Sequence, residues 1–339
     1  MITPRTPHKG ISRIASAKIL ATSLGLSTFG TAAAQTGSPA DNPVQAKTSA
    51  GSGSLSGSAA DGSAEGSIGS LDGTRAASKV VNDPTCHPAP EHPRPFVFLH
   101  GTSENIGAFV ALAKELKAEG YCTRGETYGK GGGSAQGMVP FLGGVTDINA
   151  SAERESEFIQ QVLDTTGADK VDLVGHSQGG LLTKLIIEKL GHADQVDRVV
   201  TMGASFHGTD YNGMGKGLRN WINATPRLAE WILSEAAAQQ IVGSPFLEEI
   251  NKLPDTHAGI TYTSLYSPVD TTVTPNSSSQ LEQVEGADVA NVDTSAVCSD
   301  SGKVNHNFMA FDKTYMALTK WGLERPSGET TPSPGTVCH

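Results

Sequence analysis

Gly175-His176-Ser177-Gln178-Gly179 sets one serine between two glycines, each two residues away. Val171, Leu173 and Val174 before it read as a short buried strand. Leu181, Leu182, Leu185, Ile186 and Leu190 after it recur at helical spacing. A strand that turns straight into a helix pushes the side chain at the apex out of the fold. The strained backbone there crowds the residues two before and two after, so glycine is needed at 175 and 179. The start of the helix adds free N–H groups and the positive end of its dipole where an oxyanion would develop. The chain has 39 glycines, yet Ser177 is its only serine with glycine at both positions. The competing reading is an ordinary Gly-rich turn; the flanking strand and helix favour a nucleophile.

A serine hydroxyl is a weak nucleophile. It needs a base, and the base needs an orienting carboxylate. In a chain of alternating strands and helices with such a turn, the order is Ser, then Asp or Glu, then His, each in a loop after a strand. Asp270 fits the acid: it follows an apolar strand within Ser267-Pro268-Val269-Asp270-Thr271. His306 fits the base, after the last expected strand and before a closing helix. Asp210, Asp288, Asp293 and Asp300 follow the wrong segment or lie near His306 in sequence. His207 and His257 precede the acid, and His339 is the last residue. A developing oxyanion also needs donors. We expect the backbone N–H of Gln178 and that of Thr102, with the Thr102 hydroxyl as a further donor, in the turn His100-Gly101-Thr102. His176 is read as packing.

These residues need a scaffold. Pro95 to Gly101 is a continuous apolar run, the pattern of a strand buried on both faces of a parallel sheet. A helix follows through Ile106, Phe109, Ala113 and Leu116. Tyr121 to Tyr128 is a candidate strand, and Gly129 to Gly144 a loop. Ala152 to Leu163 reads as a helix, Val196 to Ala204 and Gly259 to Tyr266 as strands, and Val289 to Val292 as a short last strand. Asn307 to Trp321 reads as one closing helix, with Phe308, Phe311, Tyr315 and Leu318 on one face. The pattern predicts an open, mostly parallel sheet flanked by helices. About 50 residues separate the strands at 196–204 and 259–266, more than a crossover needs. This insertion, 206–258, carries Trp221, Ile222, Leu228, Trp231 and Ile232, at spacings that give a helix one apolar stripe.

The 339 residues suffice for one large domain. Arg5, Lys9, Arg13 and Lys18 precede a weakly apolar stretch that ends Thr31-Ala32-Ala33-Ala34, which reads as a secretory signal peptide over 1–34. Losing those four basic residues and no acidic one takes the formal charge from −10 to −14. A chain so acidic is a poor partner for nucleic acid or an anionic membrane. Residues 35–84 are Ser, Gly and Ala with almost no aromatics, and read as a disordered linker before a catalytic domain over 85–339. The even set Cys86, Cys122, Cys298 and Cys338 suits an exported, disulfide-bonded protein. Of three possible pairings, Cys86–Cys122 with Cys298–Cys338 is expected. There is no C-x-x-C spacing, and no metal or cofactor is expected.

The motif at 175–180, the turn at 100–102, Val196-Asp197-Arg198-Val199-Val200, Phe206-His207-Gly208-Thr209 and Tyr266-Ser267-Pro268-Val269-Asp270 occur in one order. Together they resemble secreted bacterial triacylglycerol lipases of the α/β-hydrolase superfamily, above all those of actinobacteria, over about residues 85–339. The resemblance implies Ser177 as nucleophile, Asp270 as acid, His306 as base, and Thr102 with Gln178 as oxyanion hole. It implies an α/β-hydrolase fold. The insertion 206–258, rich in Trp, Leu and Ile, is read as a helical lid or acyl-binding wall, which favours lipid esters; the alternative is a stripe packed permanently on the core. Cysteines matching Cys86 and Cys122 are typical of that family. The linker is not part of its pattern, and Val304-Asn305-His306-Asn307 matches less closely than the serine motif. A short-chain carboxylesterase and a cell-envelope acyltransferase are the nearest other enzymes. A non-catalytic envelope-binding protein is the other class. Contact with a lipid interface or envelope fits either enzyme reading, and no partner protein is evident.

Overall fold

The computed structural model describes residues 71–299 and 304–339. The signal segment, most of the linker and Asp300 lie outside the described residues. Six parallel strands form one sheet: β1 Phe96–Leu99, β2 Thr123–Gly125, β3 Val171–His176, β4 Val196–Met202, β5 Thr261–Tyr266 and β6 Asp288–Asp293. Their spatial order is β2-β1-β3-β4-β5-β6. Period-two alternation explains the continuous apolar runs. Val97, Leu99, Leu173 and Val199 belong to the core on one face; Phe96, Phe98, Val174 and Val200 belong to the core on the other. With both faces covered, both sets of positions are mostly apolar, and the polar exceptions such as Asp172 and Thr201 are hydrogen-bonded.

The helices that cover the faces include α1 Leu71–Val81, α2 Val110–Ala118, α3 Ile148–Thr166 and α4 Gln178–Lys184, the last extended by a π-helical turn over Leu185–Lys189. No described helix is long and apolar enough to cross a membrane. The expected strand over 121–128 shrinks to Thr123–Gly125 at the sheet edge.

Leu71–Val81, inside the expected linker, forms helix α1. Helix α1 buries Ala77 and Val81, a pair four residues apart and thus on one helical face. Asn82 then pairs with the outer edge of β2. Its Nδ2 donates to the Gly125 carbonyl at 2.7 Å and its Oδ1 accepts from the Gly125 N–H at 2.9 Å. One amide side chain thus stands in for a further strand at an edge that would otherwise lie open.

The closing segment is also divided. His306–Phe311 is a 3₁₀ turn, and α-helix begins only at Lys313, running to Glu324. The Asp312 carboxylate accepts from the Tyr315 N–H at 3.1 Å, the signature of an N-cap and so of a new start. Phe308 therefore does not share a face with Tyr315 and Leu318. It is 60% exposed, while both of those are buried.

Between β4 and β5, which are sheet neighbours as expected, the insertion forms α5 Gly215–Ala224, α6 Pro226–Ile232, α7 Glu235–Gln239 and α8 Pro245–Ile250. The expected single stripe is broken at Thr225-Pro226, because the residue before proline is disfavoured in the helical region. Trp221 and Ile222 pack inward on Tyr211, Leu233 and Ile241. Leu228 and Trp231 face outward, 48% and 55% exposed.

Both expected disulfides are present, Cys86–Cys122 and Cys298–Cys338, separated by 36 and 40 residues. Each loop closure stabilises by about 4 kcal/mol in the chain-entropy picture. Peptide mapping without reduction should recover these two cross-links, and a Cys122–Cys298 fragment would contradict the pairing.

Candidate active site

Strand β3 ends at His176, and α4 begins at Gln178. Ser177 between them has φ 54° and ψ −121°, a region that costs a non-glycine residue about 1–3 kcal/mol. The surroundings hold it there. The Ser177 N–H donates to the Met202 carbonyl at 2.9 Å, prolonging the pairing of β3 with β4. The Ser177 carbonyl accepts from the Gly180 N–H at 3.0 Å. The two flanking glycines are required by space. A methyl at Gly175 would sit 2.6 Å from the Gly180 nitrogen, and one at Gly179 would fall inside the Leu99 carbonyl.

Three chain segments converge on this turn. Ser177 Oγ lies 2.8 Å from His306 Nε2, and His306 Nδ1 lies 2.7 Å from Asp270 Oδ2. Since the carboxylate only accepts, Nδ1 carries the proton, Nε2 is left as acceptor, and the Ser177 hydroxyl donates to it. The other oxygen of Asp270 accepts from the N–H groups of Thr272 at 2.7 Å and Val273 at 3.0 Å. Burial pushes the Asp270 carboxyl up. His306 and these N–H groups outweigh that and hold it below the usual carboxylate range. All three side chains are buried, so the line is shielded from competing water.

The rival residues are engaged elsewhere. His207 pairs with Asp255 at 3.1 Å and His257 with Glu188 at 3.2 Å. Asp210 accepts from the Thr274 hydroxyl, Asp288 pairs with Arg325, and Asp293 caps a short helical turn.

Thr102 lies beside the serine, on the rim of a cavity of about 50 Å³ that Ser177, His306, Gln136 and Gln240 also line. Its hydroxyl is committed: it donates to the Gln178 Oε1 at 3.2 Å and accepts from Gln240 Nε2 at 2.8 Å. A hydroxyl has one proton, so of the two donors expected from Thr102 only the backbone N–H is free for an oxyanion. Gln178 is the first residue of α4, where N–H groups have no carbonyl one turn back.

Three residues that the sequence reading missed or misjudged complete the surroundings. Gln240, at the end of α7, also accepts from the Ser205 hydroxyl at 2.7 Å, so it ties the insertion both to the loop after β4 and, through Thr102, to the turn at 100–102. Glu104 accepts from the Gly101 N–H at 2.7 Å. His176, read as packing, is hydrogen-bonded at both ring nitrogens, to Glu104 at 3.0 Å and to the His306 carbonyl at 3.0 Å. The position of Glu104, three residues past Gly101, is the one local hint. The other contacts join residues far apart in sequence.

A second cavity, about 770 Å³, lies on the far side of α7, lined by Ile222, Ala229, Leu233, Ala238 and Phe246 among others. Ala237 and Gln240 face the small cavity, while Ala238 and Gln239 face the large one. One short helix thus divides the two spaces.

Known proteins carry the same arrangement of strands. The lipase (class 2) family profile matches residues 93–319, from just before β1 into the closing helix. This chain belongs to the class 2 lipase family. Its fold is the α/β-hydrolase fold. Aspergillus fumigatus lipase B superposes with a TM-score of 0.56 at 19% identity, over 79% of this chain and 61% of that one. The chain therefore spans about three-fifths of the Aspergillus protein. A Paleococcus ferrophilus monoacylglycerol lipase gives a TM-score of 0.47 at 15% identity, over 68% of this chain and 95% of its own. Within the class 2 lipase frame of this chain, the glycine at 179 is a packing requirement. Gly179→Ala should lower the unfolding free energy by about 1–3 kcal/mol, and Gly217→Ala, in open space on α5, should raise it by up to about 1 kcal/mol. Denaturant unfolding of both variants checks this.

Proposed function

We propose that this protein is a secreted serine hydrolase of carboxylic esters, with lipid esters such as triacylglycerols as substrates. The observation that carries the reading is the hydrogen-bonded line Ser177–His306–Asp270 at 2.8 and 2.7 Å in a chain of a lipase family. His306 Nε2 takes the proton of the Ser177 hydroxyl as Oγ attacks the ester carbonyl. Asp270 steadies the imidazolium that results. The N–H groups of Gln178 and Thr102 receive the negative charge on the tetrahedral oxygen, worth about 3–4 kcal/mol per donor. His306 then gives its proton to the departing alcohol, leaving an acyl-enzyme. Water, activated by the same base, releases the acid. The export reading rests on the residues of 1–34 and agrees with two disulfides.

Cavity sizes bear on the substrate. About 50 Å³ at Ser177 is far below the roughly 300–1,000 Å³ usual for a small-molecule site. The 770 Å³ space beyond α7 is within that range and mostly apolar. A long acyl chain reaches it only if α7 and the adjoining glycine-rich loop move apart, which is the lid role proposed for 206–258. The loop is held to α6 by the Ala135 N–H donating to the Trp231 carbonyl at 2.8 Å. A short-chain ester needs less of this opening.

Ser177→Ala should fold normally and lose ester hydrolysis by about 10⁴-fold or more; Asp270→Asn or His306→Ala should add little in that background. A folded Ser177→Ala enzyme that keeps most of its activity would end this mechanism. Trp231→Ser should weaken hydrolysis of long-chain esters far more than of butyrate esters, with little change in stability. Equal losses at every chain length, or unfolding, would favour a plain esterase with a structural insertion.

A further inference from the structure

His176 stands next to the proposed nucleophile, yet its ring points away from the hydroxyl. It bridges two loops that must keep register with each other. Its Nδ1 meets Glu104 Oε2 at 3.0 Å, and its Nε2 meets the backbone carbonyl of His306 at 3.0 Å. The same Glu104 oxygen accepts from the Gly101 N–H at 2.7 Å. Gly101 and Thr102 form the turn that offers an oxyanion donor; His306 is the base.

We propose that Glu104 and the buried His176 form a positioning ion pair that locks the oxyanion turn and the base loop into one register. The inference rests on the hydrolase reading and adds residues to it that never touch substrate.

A carbonyl oxygen can only accept, so Nε2 of His176 must carry a proton. Glu104, held ionised by its neighbours, can only accept, and it already receives the Gly101 N–H, so Nδ1 carries a proton too. Both nitrogens are donors, and His176 is an imidazolium. It is 1% exposed, and a buried charge needs a partner. Glu104 is that partner. Burial pushes the imidazole down, but Glu104 and then the His306 carbonyl bring it above its ordinary range. Burial pushes Glu104 up, but His176 and the Gly101 N–H bring it to about 2.

The counter-charge also matters for the chemistry. The His176 and His306 ring centroids are 4.9 Å apart. An unbalanced imidazolium there would oppose the charge that His306 must take up during acyl transfer. Glu104 cancels it. The other ionisable groups facing His176 are His100, from the end of β1, and Asp270, from the loop after β5. Burial drives His100 down to about 4, so it adds no charge at neutral pH.

Removing the carboxylate should make His176 surrender a proton, leaving one ring nitrogen that can only accept. Nitrogen-15 imidazole spectra decide this without turnover, in wild-type and in Ser177→Ala protein. At about pH 7.5, above the ordinary imidazole pKa near 6.5, both His176 nitrogens should carry protons. In Glu104→Gln one should not. In that variant kcat for a butyrate ester should fall about 10- to 100-fold, with KM changed by no more than about twofold. Glu104→Asp should recover part of the loss. A singly protonated His176 in wild-type protein at that pH would overturn the proposal, as would a folded Glu104→Gln enzyme with unchanged kcat. If Glu104→Gln fails to fold, the wild-type spectrum alone still decides. A wild-type protein without esterase activity would refute the hydrolase reading and leave the proton inventory measurable.

Discussion

A serine fixed at positive φ between a buried strand and a buried helix is the constraint on which the rest of the molecule depends. Ser177 reaches that conformation only because β4 continues to pair with it and because no side-chain carbon stands at 175 or 179. The helix behind it is anchored in turn. Lys184 of α4 forms a buried pair with Asp255 at 2.8 Å, and Asp255 also accepts from the Glu282 N–H at 2.9 Å. Removing one member of such a pair leaves an uncompensated charge, at a cost of about 3–5 kcal/mol. Strain at the turn is thus offset by packing and charge several residues away.

The second requirement is agreement among loops that have no local reason to agree. Asp270 follows β5, His306 follows β6, and Thr102 follows β1, so their meeting point depends on the register of the whole sheet. Parallel strands deliver all these loops at one edge, which is why an open α/β sheet suits such chemistry. Fine adjustment comes from polar cross-ties. Asn276 Nδ2 closes the acid loop by donating to the carbonyls of Asp270 and Val273 at 2.9 and 3.1 Å. Gln240 fastens the insertion to Thr102. In the proposed enzyme, a lid movement that displaces α7 would free the Thr102 hydroxyl from Gln240, so substrate entry and oxyanion geometry are physically linked.

What the sequence disclosed follows from the range of the interactions. Strand β3, the turn at Ser177 and α4 leave local signals, a buried apolar run, glycine spacing and a helical stripe, even though β4 and Leu99 hold the turn in place. Asp270 and His306 were legible through chain order. The partners of His176 were not: Glu104 lies 72 residues away, and a histidine beside a serine looks the same whether it packs or bridges. Gln240, 138 residues from Thr102, left no sign. Helix α1 was hidden because its Ala, Gly and Ser resemble the linker before it; what sets it apart is the packing of Ala77 and Val81. The breaks at Pro226 and Asp312 had local signals, a proline and an N-cap aspartate, that apolar periodicity overrode.

The central claim is that Ser177 is an activated nucleophile. A fluorophosphonate reacts with a serine only when a base draws off its proton as the phosphorus is attacked. Labelling the native protein and locating the adduct by peptide mass spectrometry tests this most directly. One adduct is expected, on Ser177, forming in native protein but not in protein denatured before labelling or in His306→Ala. An unlabelled native protein, or an adduct on another residue, would contradict it.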